Sequence, residues 1–416
     1  IRNPSIVVVL LPMTPTQPLR LLIIPALLIG VGTLFVALWI FIPGPTYLLL
    51  HLSVGAPEVS AVLMVLALVA FGLAVPILRG STTSKIAAAT AIVAFGISAT
   101  PLVGSLTVRR RFDRAMTAAL GVRPLERVAP SVVAAMRPSP VSARDLFFGI
   151  PTGDVKITKG IPIASPDGVP LTITVYQPHT KGSYPLLVQI YGGAWQRGTP
   201  ASFANFARWL ASRGYVVFAI DYRHAPAAHW PAQLDDVHTM LAWIRDHAAQ
   251  YDADTARVAM MGRSAGAHLA MLAAYNDSTL HARAVVSYYG PVNLVAAYEH
   301  PPSPDPLEIR DVQEKLFGGT LAQFPVQYRS ASPINSVRAN LPPTLLVYGA
   351  RDHIVEPQYG RMLADSLRAH GNIALHLEIP WADHGFDEVF SGPSSQMALY
   401  YTERFLAWAL ADRDRR

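Results

Sequence analysis

Hydrophobic residues are distributed in two ways along this chain. Residues 21–42, 59–78 and 86–108 contain no Asp, Glu, Lys or Arg, whereas from residue 155 onward short apolar runs alternate with amphipathic ones. Each uncharged run reaches the ~20 residues that a helix needs to cross ~30 Å of hydrocarbon. The pattern therefore predicts three transmembrane helices within residues 1–108, the third richer in Ala and Thr and interrupted by Pro101. A cleaved signal peptide would explain the first run but not all three. Arg20 precedes the first span, while Arg79 and Lys85 lie between the second and third. The positive-inside rule then places the N-terminus in the cytoplasm and the C-terminal domain outside. Arg109, Arg110, Arg111 and Arg114 directly follow the third span and argue the other way. The expected location is thus a multi-pass cell-membrane protein whose C-terminal domain leans extracytoplasmic. Ile1, in place of an initiator Met, suggests a start further upstream.

Residues 109–154 read as a juxtamembrane connector. Phe112, Met116, Ala119 and Leu120 share one helical face, which suits either an interfacial helix or a helix packed on the next domain. Repeated prolines follow, at 124, 130, 138, 140 and 151. Strands are then predicted at 155–163 and 169–176, joined by a Pro-Asp-Gly turn. Further strands fall at 185–191, 215–221, 257–261, 284–289, 344–348 and 373–379. Helices are expected near 203–213, 233–250, 265–275, 357–370 and 395–411, and residues 293–340 form a Pro-rich irregular insert. This alternation implies an α/β domain over 155–416, with a mostly parallel sheet covered on both faces. Sites in such sheets form at the carboxyl ends of the strands.

Composition supports the division. The chain has 416 residues, of which 51% are hydrophobic and only 15% charged, against about a quarter charged in ordinary soluble domains. Mean hydropathy is +0.29. The net charge of +6 is carried by arginines close to the apolar runs, which suits lipid headgroups rather than nucleic acid. The absence of cysteine excludes disulfides, Cys-ligated zinc and thiol catalysis.

Candidate chemistry centres on Gly262-Arg263-Ser264-Ala265-Gly266, between a predicted strand and a predicted helix. A G-x-S-x-G segment in that context is a nucleophile elbow. The turn is so sharp that neighbouring backbone must pass where a Cβ would stand, hence the flanking glycines. A serine nucleophile needs a base and an acid to orient it. Asp352 and His384 follow the strands at 344–348 and 373–379, in the order serine, acid, base. Glu356 is the alternative acid. Asp383, His353 and His268 read as structural or site-edge residues. Tyr191-Gly192-Gly193-Ala194-Trp195 follows the strand at 185–191, where a second loop of oxyanion donors belongs. The N–H groups of Gly192, Gly193 and Ala194, with that of Ala265, are the candidate oxyanion hole.

Residues from about 155 to 411 resemble the α/β-hydrolase superfamily, specifically the esterase/lipase group related to hormone-sensitive lipase. The resemblance rests on Tyr191–Trp195 against that group's His-Gly-Gly-Gly-Trp, on Asp221-Tyr222-Arg223-His224-Ala225-Pro226, and on the elbow. Trp230-Pro231-Ala232 with Asp235 and Asp236 adds to it. It covers about 60% of the chain and does not extend to the apolar runs. Tyr191 departs from the group's His, Ala194 from its third Gly, and Arg263 stands where an acidic residue is common. Pairing of Arg263 with a nearby carboxylate such as Asp221 is expected.

Together these features imply a membrane-anchored serine hydrolase of carboxylic esters, with Ser264, His384 and Asp352 as triad. Neither a metal nor an organic cofactor is implied. The expected partners are an ester substrate, lipid-like in character, and membrane lipid, without nucleic acid. Two alternatives stand beside it: an acyltransferase that uses the same triad to acylate a lipid or sugar alcohol, and a non-catalytic tethered binding domain.

Overall fold

A computed structural model describes residues 21–75, 81–276 and 279–411. Arg20 and Arg79, on which the orientation argument rests, lie outside the described residues, as does the end of the second predicted span.

The N-terminal region folds as α1 (Ile23–Leu38), α2 (Tyr47–Glu58), α3 (Ser60–Ala74) and α4 (Thr82–Leu120). The expectation of three spans is not confirmed. Only α4 is long and apolar enough to cross a bilayer among the described residues, and α2 with α3 forms a pair bent by 80°. The 16 residues of α1 extend about 24 Å at 1.5 Å per residue. Helices α1, α3 and α4 pack on one another through small residues, including Ala26, Ala70, Ala74, Ala87 and Ala94, all fully buried. Their larger apolar side chains, such as Leu28, Phe35, Leu68, Ile92 and Leu106, face outward. Gly30 sits where an added Cβ would approach Thr90 Oγ1 to 2.9 Å, so the close approach of α1 to α4 needs glycine there.

The expected boundary at 108/109 falls inside one continuous helix. Phe112 and Met116 are buried in the core of the following domain, and the Phe112 ring meets Tyr401 edge-on at 5.3 Å. The apolar face of this segment therefore packs on protein. Two short helices follow, α5 (Pro130–Ala135) and α6 (Ala143–Phe148).

The rest is an eight-stranded sheet with helices on both sides. Its strands are β1 (Lys156–Ala164), β2 (Pro170–Gln177), β3 (Tyr184–Ile190), β4 (Val216–Ile220), β5 (Ala253–Arg263), β6 (Ala282–Tyr288), β7 (Thr344–Gly349) and β8 (Ala374–Ile379). Its helices are α7 (Ala204–Ala211), α8 (Ala232–His247), α9 (Ala265–Asn276), α10 (Leu294–Glu299), α11 (Ile309–Phe317), α12 (Pro325–Ser330), α13 (Pro357–Ala369) and α14 (Pro393–Ala409). The strand order is β1-β2-β4-β3-β5-β6-β7-β8. β1 and β2 run antiparallel to their neighbours, and every pairing from β4–β3 to β7–β8 is parallel.

The uninterrupted apolar strands follow from burial of both sheet faces. Leu187, Val217, Ala219, Ala259 and Met261 belong to one core. Their chain neighbours Leu186, Val188, Val216, Phe218, Val258 and Met260 belong to the other. The insert at 293–340 is not irregular as expected. It forms α10, α11, α12 and a 3-10 turn at Pro333–Ser336, closed by stacking of Phe317 on Tyr328 at 3.9 Å.

Candidate active site

Ser264 stands between β5 and α9 at φ +50°, a left-handed conformation that costs a non-glycine residue energy. Both flanking glycines are required by packing. A Cβ on Gly262 would lie 2.2 Å from the Gly266 carbonyl carbon, and one on Gly266 would lie 2.3 Å from the carbonyl oxygens of Ile190 and Tyr191. The turn is thus forced against the end of β3, and the loop after β3 becomes its neighbour.

Two loops from the far side of the sheet meet the serine. His384, after β8, places Nε2 3.0 Å from Ser264 Oγ. Its Nδ1 lies 2.9 Å from Asp352 Oδ2. Asp352, after β7, is buried, and its Oδ1 accepts from the N–H groups of Ile354 at 2.9 Å and Val355 at 2.8 Å. Burial pulls the His384 pKa down, but the charge and hydrogen bond of Asp352 outweigh it, and the net shift is upward from 6.5. Glu356 instead accepts from Gln358.

Gly192, Gly193, Ala194 and Ser264 line one cleft, with Ala265 buried beside the serine at the start of α9. A Cβ on Gly192 would come within 2.7 Å of the Arg263 carbonyl oxygen. Gly193 has φ +133°, and a Cβ there would collide with the Arg197 carbonyl at 2.0 Å. Ala194 and Trp195 continue the turn at φ +54° and +58°. Tyr191, in place of the group's His, is buried and stacked on Tyr222 at 4.6 Å. Its hydroxyl donates to Asp221 at 2.5 Å and lies 2.9 Å from His224 Nε2.

Several side residues find their partners. Trp195 Nε1 donates to His268 Nδ1 at 3.2 Å, which leaves His268 Nε2 to donate to the Ala331 carbonyl at 2.6 Å. Burial lowers this imidazole to about 4, so it stays neutral. Asp383 Oδ1 accepts from the His384 N–H at 2.7 Å and lies 3.0 Å from His353 Nδ1. His353 Nε2 reaches the Gly44 carbonyl at 3.2 Å. Arg223 is held by Asp236 through Nε at 2.8 Å.

Arg263 pairs with a carboxylate as expected, but the partner is Asp387 rather than Asp221. Arg263 continues the parity of Ala259 and Met261 and so points to the face that holds Phe206 and Tyr288. There its Nε donates to Asp387 Oδ2 at 2.5 Å, with side chains 1% and 4% exposed. Its guanidinium lies 4.2 Å from the Phe203 ring centre and 4.6 Å from that of Phe206. Asp387 also accepts from Tyr289, whose ring lies 4.7 Å from that of His384.

Sequence reasoning missed α2, which lies over the site. Tyr47, Leu50, His51 and Val54 line the cleft that contains Ser264 and His384. The signal was present in Thr46, whose side chain caps the helix through Leu49 N–H, and in the spacing of Leu50, Val54 and Pro57 on one face.

A mixed eight-stranded sheet carrying a strand–serine–helix turn defines the α/β-hydrolase class. The BD-FAE family model matches residues 173–367. The esterase LipC of Mycobacterium tuberculosis is 35% identical over 219 residues, covering 49% of this chain and 53% of LipC. The probable carboxylic ester hydrolase LipM of the same organism is 31% identical, covering 54% of each chain. The chain therefore spans about half the length of the curated relatives it matches. The crystal structure of esterase LipW from Mycobacterium marinum superposes with a TM-score of 0.54 at 22% identity, covering 74% of this chain and 90% of LipW. In fold and in these matches the chain is similar to α/β-hydrolases of the esterase/lipase group.

Proposed function

We propose that this protein is a serine carboxylic ester hydrolase anchored to a membrane by its N-terminal helices. The observation that carries the reading is the chain of contacts from Ser264 Oγ to His384 Nε2 at 3.0 Å and from His384 Nδ1 to Asp352 at 2.9 Å. His384 takes the Ser264 proton as Oγ bonds to the ester carbonyl carbon. The developing oxyanion is received by backbone N–H groups of the Gly192–Gly193–Ala194 turn and of Ala265. Collapse breaks the bond to the alcohol, which leaves with the proton from His384. Water then repeats the sequence and releases the acid. Membrane anchoring is supported by the arrangement of α1, α3 and α4, with small residues inward and large apolar ones outward, the reverse of a water-soluble bundle.

The test is turnover of p-nitrophenyl butyrate by purified full-length protein in detergent. Ser264→Ala should reduce kcat by at least about 10³-fold. Unchanged turnover would end the proposal.

A further inference from the structure

Ser264 opens onto two cavities of very different size. The larger, of about 740 Å³, falls within the range of drug-sized ligand sites, roughly 300–1,000 Å³. The smaller holds about 50 Å³. Ser264, Ala194 and Leu307 line both, so the two spaces meet at these residues.

Proton bookkeeping assigns the two cavities. The leaving alcohol must receive its proton from His384, so it departs on the side that His384 lines. That side is the larger cleft. The smaller cavity is lined instead by Trp195, Val292, Leu294, Ile354 and Val355 and is left for the acyl chain. The larger cleft offers hydrogen-bonding groups on three sides: Arg197 on the loop after β3, Glu388 after β8, and His51 on α2. Arg263 lines it too, with Nη1 buried and without a hydrogen-bond partner.

The wall formed by α2 is fixed at both ends. Ahead of it, Arg351 donates to the Phe41 carbonyl and His353 reaches that of Gly44. At its end Glu58 Oε2 accepts from the Ser394 N–H at 3.0 Å. Leu50 and Val54 join the core of the hydrolase domain.

We infer that the substrate is an ester of a short acid with a bulky polyhydroxylated alcohol, and that α2 recognises that alcohol. The inference rests on the ester hydrolase reading above. It makes Leu307 and Gly55 specificity positions. Gly55 lines the larger cleft, and a Cβ there meets nothing within 4 Å, so Gly55→Phe is the substitution chosen to narrow the cleft.

The test uses full-length protein in detergent micelles, with p-nitrophenyl acetate, butyrate and octanoate, and with methyl butyrate against a butyryl ester of an alkyl glucoside. The natural protein should lose at least tenfold in kcat/KM between butyrate and octanoate. Leu307→Ala should raise the octanoate-to-butyrate ratio at least tenfold by removing side-chain volume where the two spaces meet. Gly55→Phe should lower the ratio of glucoside butyrate to methyl butyrate by at least tenfold. Octanoate cleaved within threefold of butyrate, or an equal effect of Gly55→Phe on both butyrates, would overturn the assignment. Labelling of Ser264 by a small fluorophosphonate separates the two levels. A labelled protein without these preferences loses only this inference, whereas an unlabelled and inactive one loses the hydrolase reading as well.

Discussion

Asp352→Asn removes one charge while keeping the shape of the side chain, and the geometry dictates how the amide settles. Asp352 Oδ1 accepts from two backbone N–H groups, at 2.9 and 2.8 Å. The asparagine oxygen stays there, because a flipped amide would set its NH₂ against both donors and cost roughly 1–3 kcal/mol for each unsatisfied group. Its NH₂ therefore faces His384 Nδ1, which must accept. The imidazole proton moves to Nε2, the atom 3.0 Å from Ser264 Oγ, and the lone pair needed to deprotonate the serine is lost. The analogous change in other triads lowers kcat about 10⁴-fold, equivalent to about 5.5 kcal/mol at 1.36 kcal/mol per tenfold. The pH profile supplies a second readout. Asp352 raises the His384 pKa against the opposing effect of burial. In the natural protein kcat/KM should thus rise with pH as His384 deprotonates, with a midpoint above 6.5. With Asn in place the largest raising influence is gone, while burial and the weaker pull of Asp383 and Glu388 remain, so the midpoint should fall. The assay is p-nitrophenyl butyrate hydrolysis between pH 5 and 9. A variant that keeps more than a tenth of kcat, or whose midpoint does not move, would refute the assignment of Asp352 as the orienting acid.

Asp387→Ala strands the Arg263 guanidinium in a site where both side chains are almost fully buried. Removing one partner of a buried pair costs about 3–5 kcal/mol, which corresponds to roughly 6–20 °C in Tm for a domain of this size. Differential scanning fluorimetry should show that loss, with part of it recovered in Arg263→Met/Asp387→Leu, and a shift under 2 °C would contradict the account. For the membrane assignment, alkaline carbonate washing should leave the full-length protein in the membrane pellet, and release to the supernatant would count against anchoring.

The hydrolase domain was legible because its signals are local. Strand and helix boundaries follow from apolar runs broken by turn residues, and the elbow announces itself through glycines that backbone contacts 2.2–2.3 Å away make obligatory. Chain order points to Asp352 and His384, since the residue after a parallel strand is delivered to one edge of the sheet. The Arg263 partner was not found, because Asp387 is 124 positions away and nothing in local spacing ties the two. The insert was misjudged for a related reason. Its prolines suggested irregular chain, but Pro325 begins a helix, where a missing N–H costs nothing.

The N-terminal region exposes the limit of reading hydropathy alone. An uncharged run reports that its residues avoid water, not what they contact. Leu50 and Val54 are as apolar as Leu28 and Phe35, yet the first two are buried against the hydrolase domain and the last two face outward. The distinction lies in side-chain size and in the polar residues between. Where helices meet each other inside α1, α3 and α4, the buried residues are mostly Ala, with Gly30, Thr33, Ser84 and Ser98. Where chain meets the hydrolase domain, the apolar residues are interleaved with His51, Ser53 and Glu58, and Glu58 finds a backbone N–H partner there. A polar residue on an apolar helix is expensive in lipid and cheap beside a donor. The interruption at Glu58, which reads in the sequence as the edge of a span, is therefore the point where the chain turns by 80° from the active-site wall into the helical bundle.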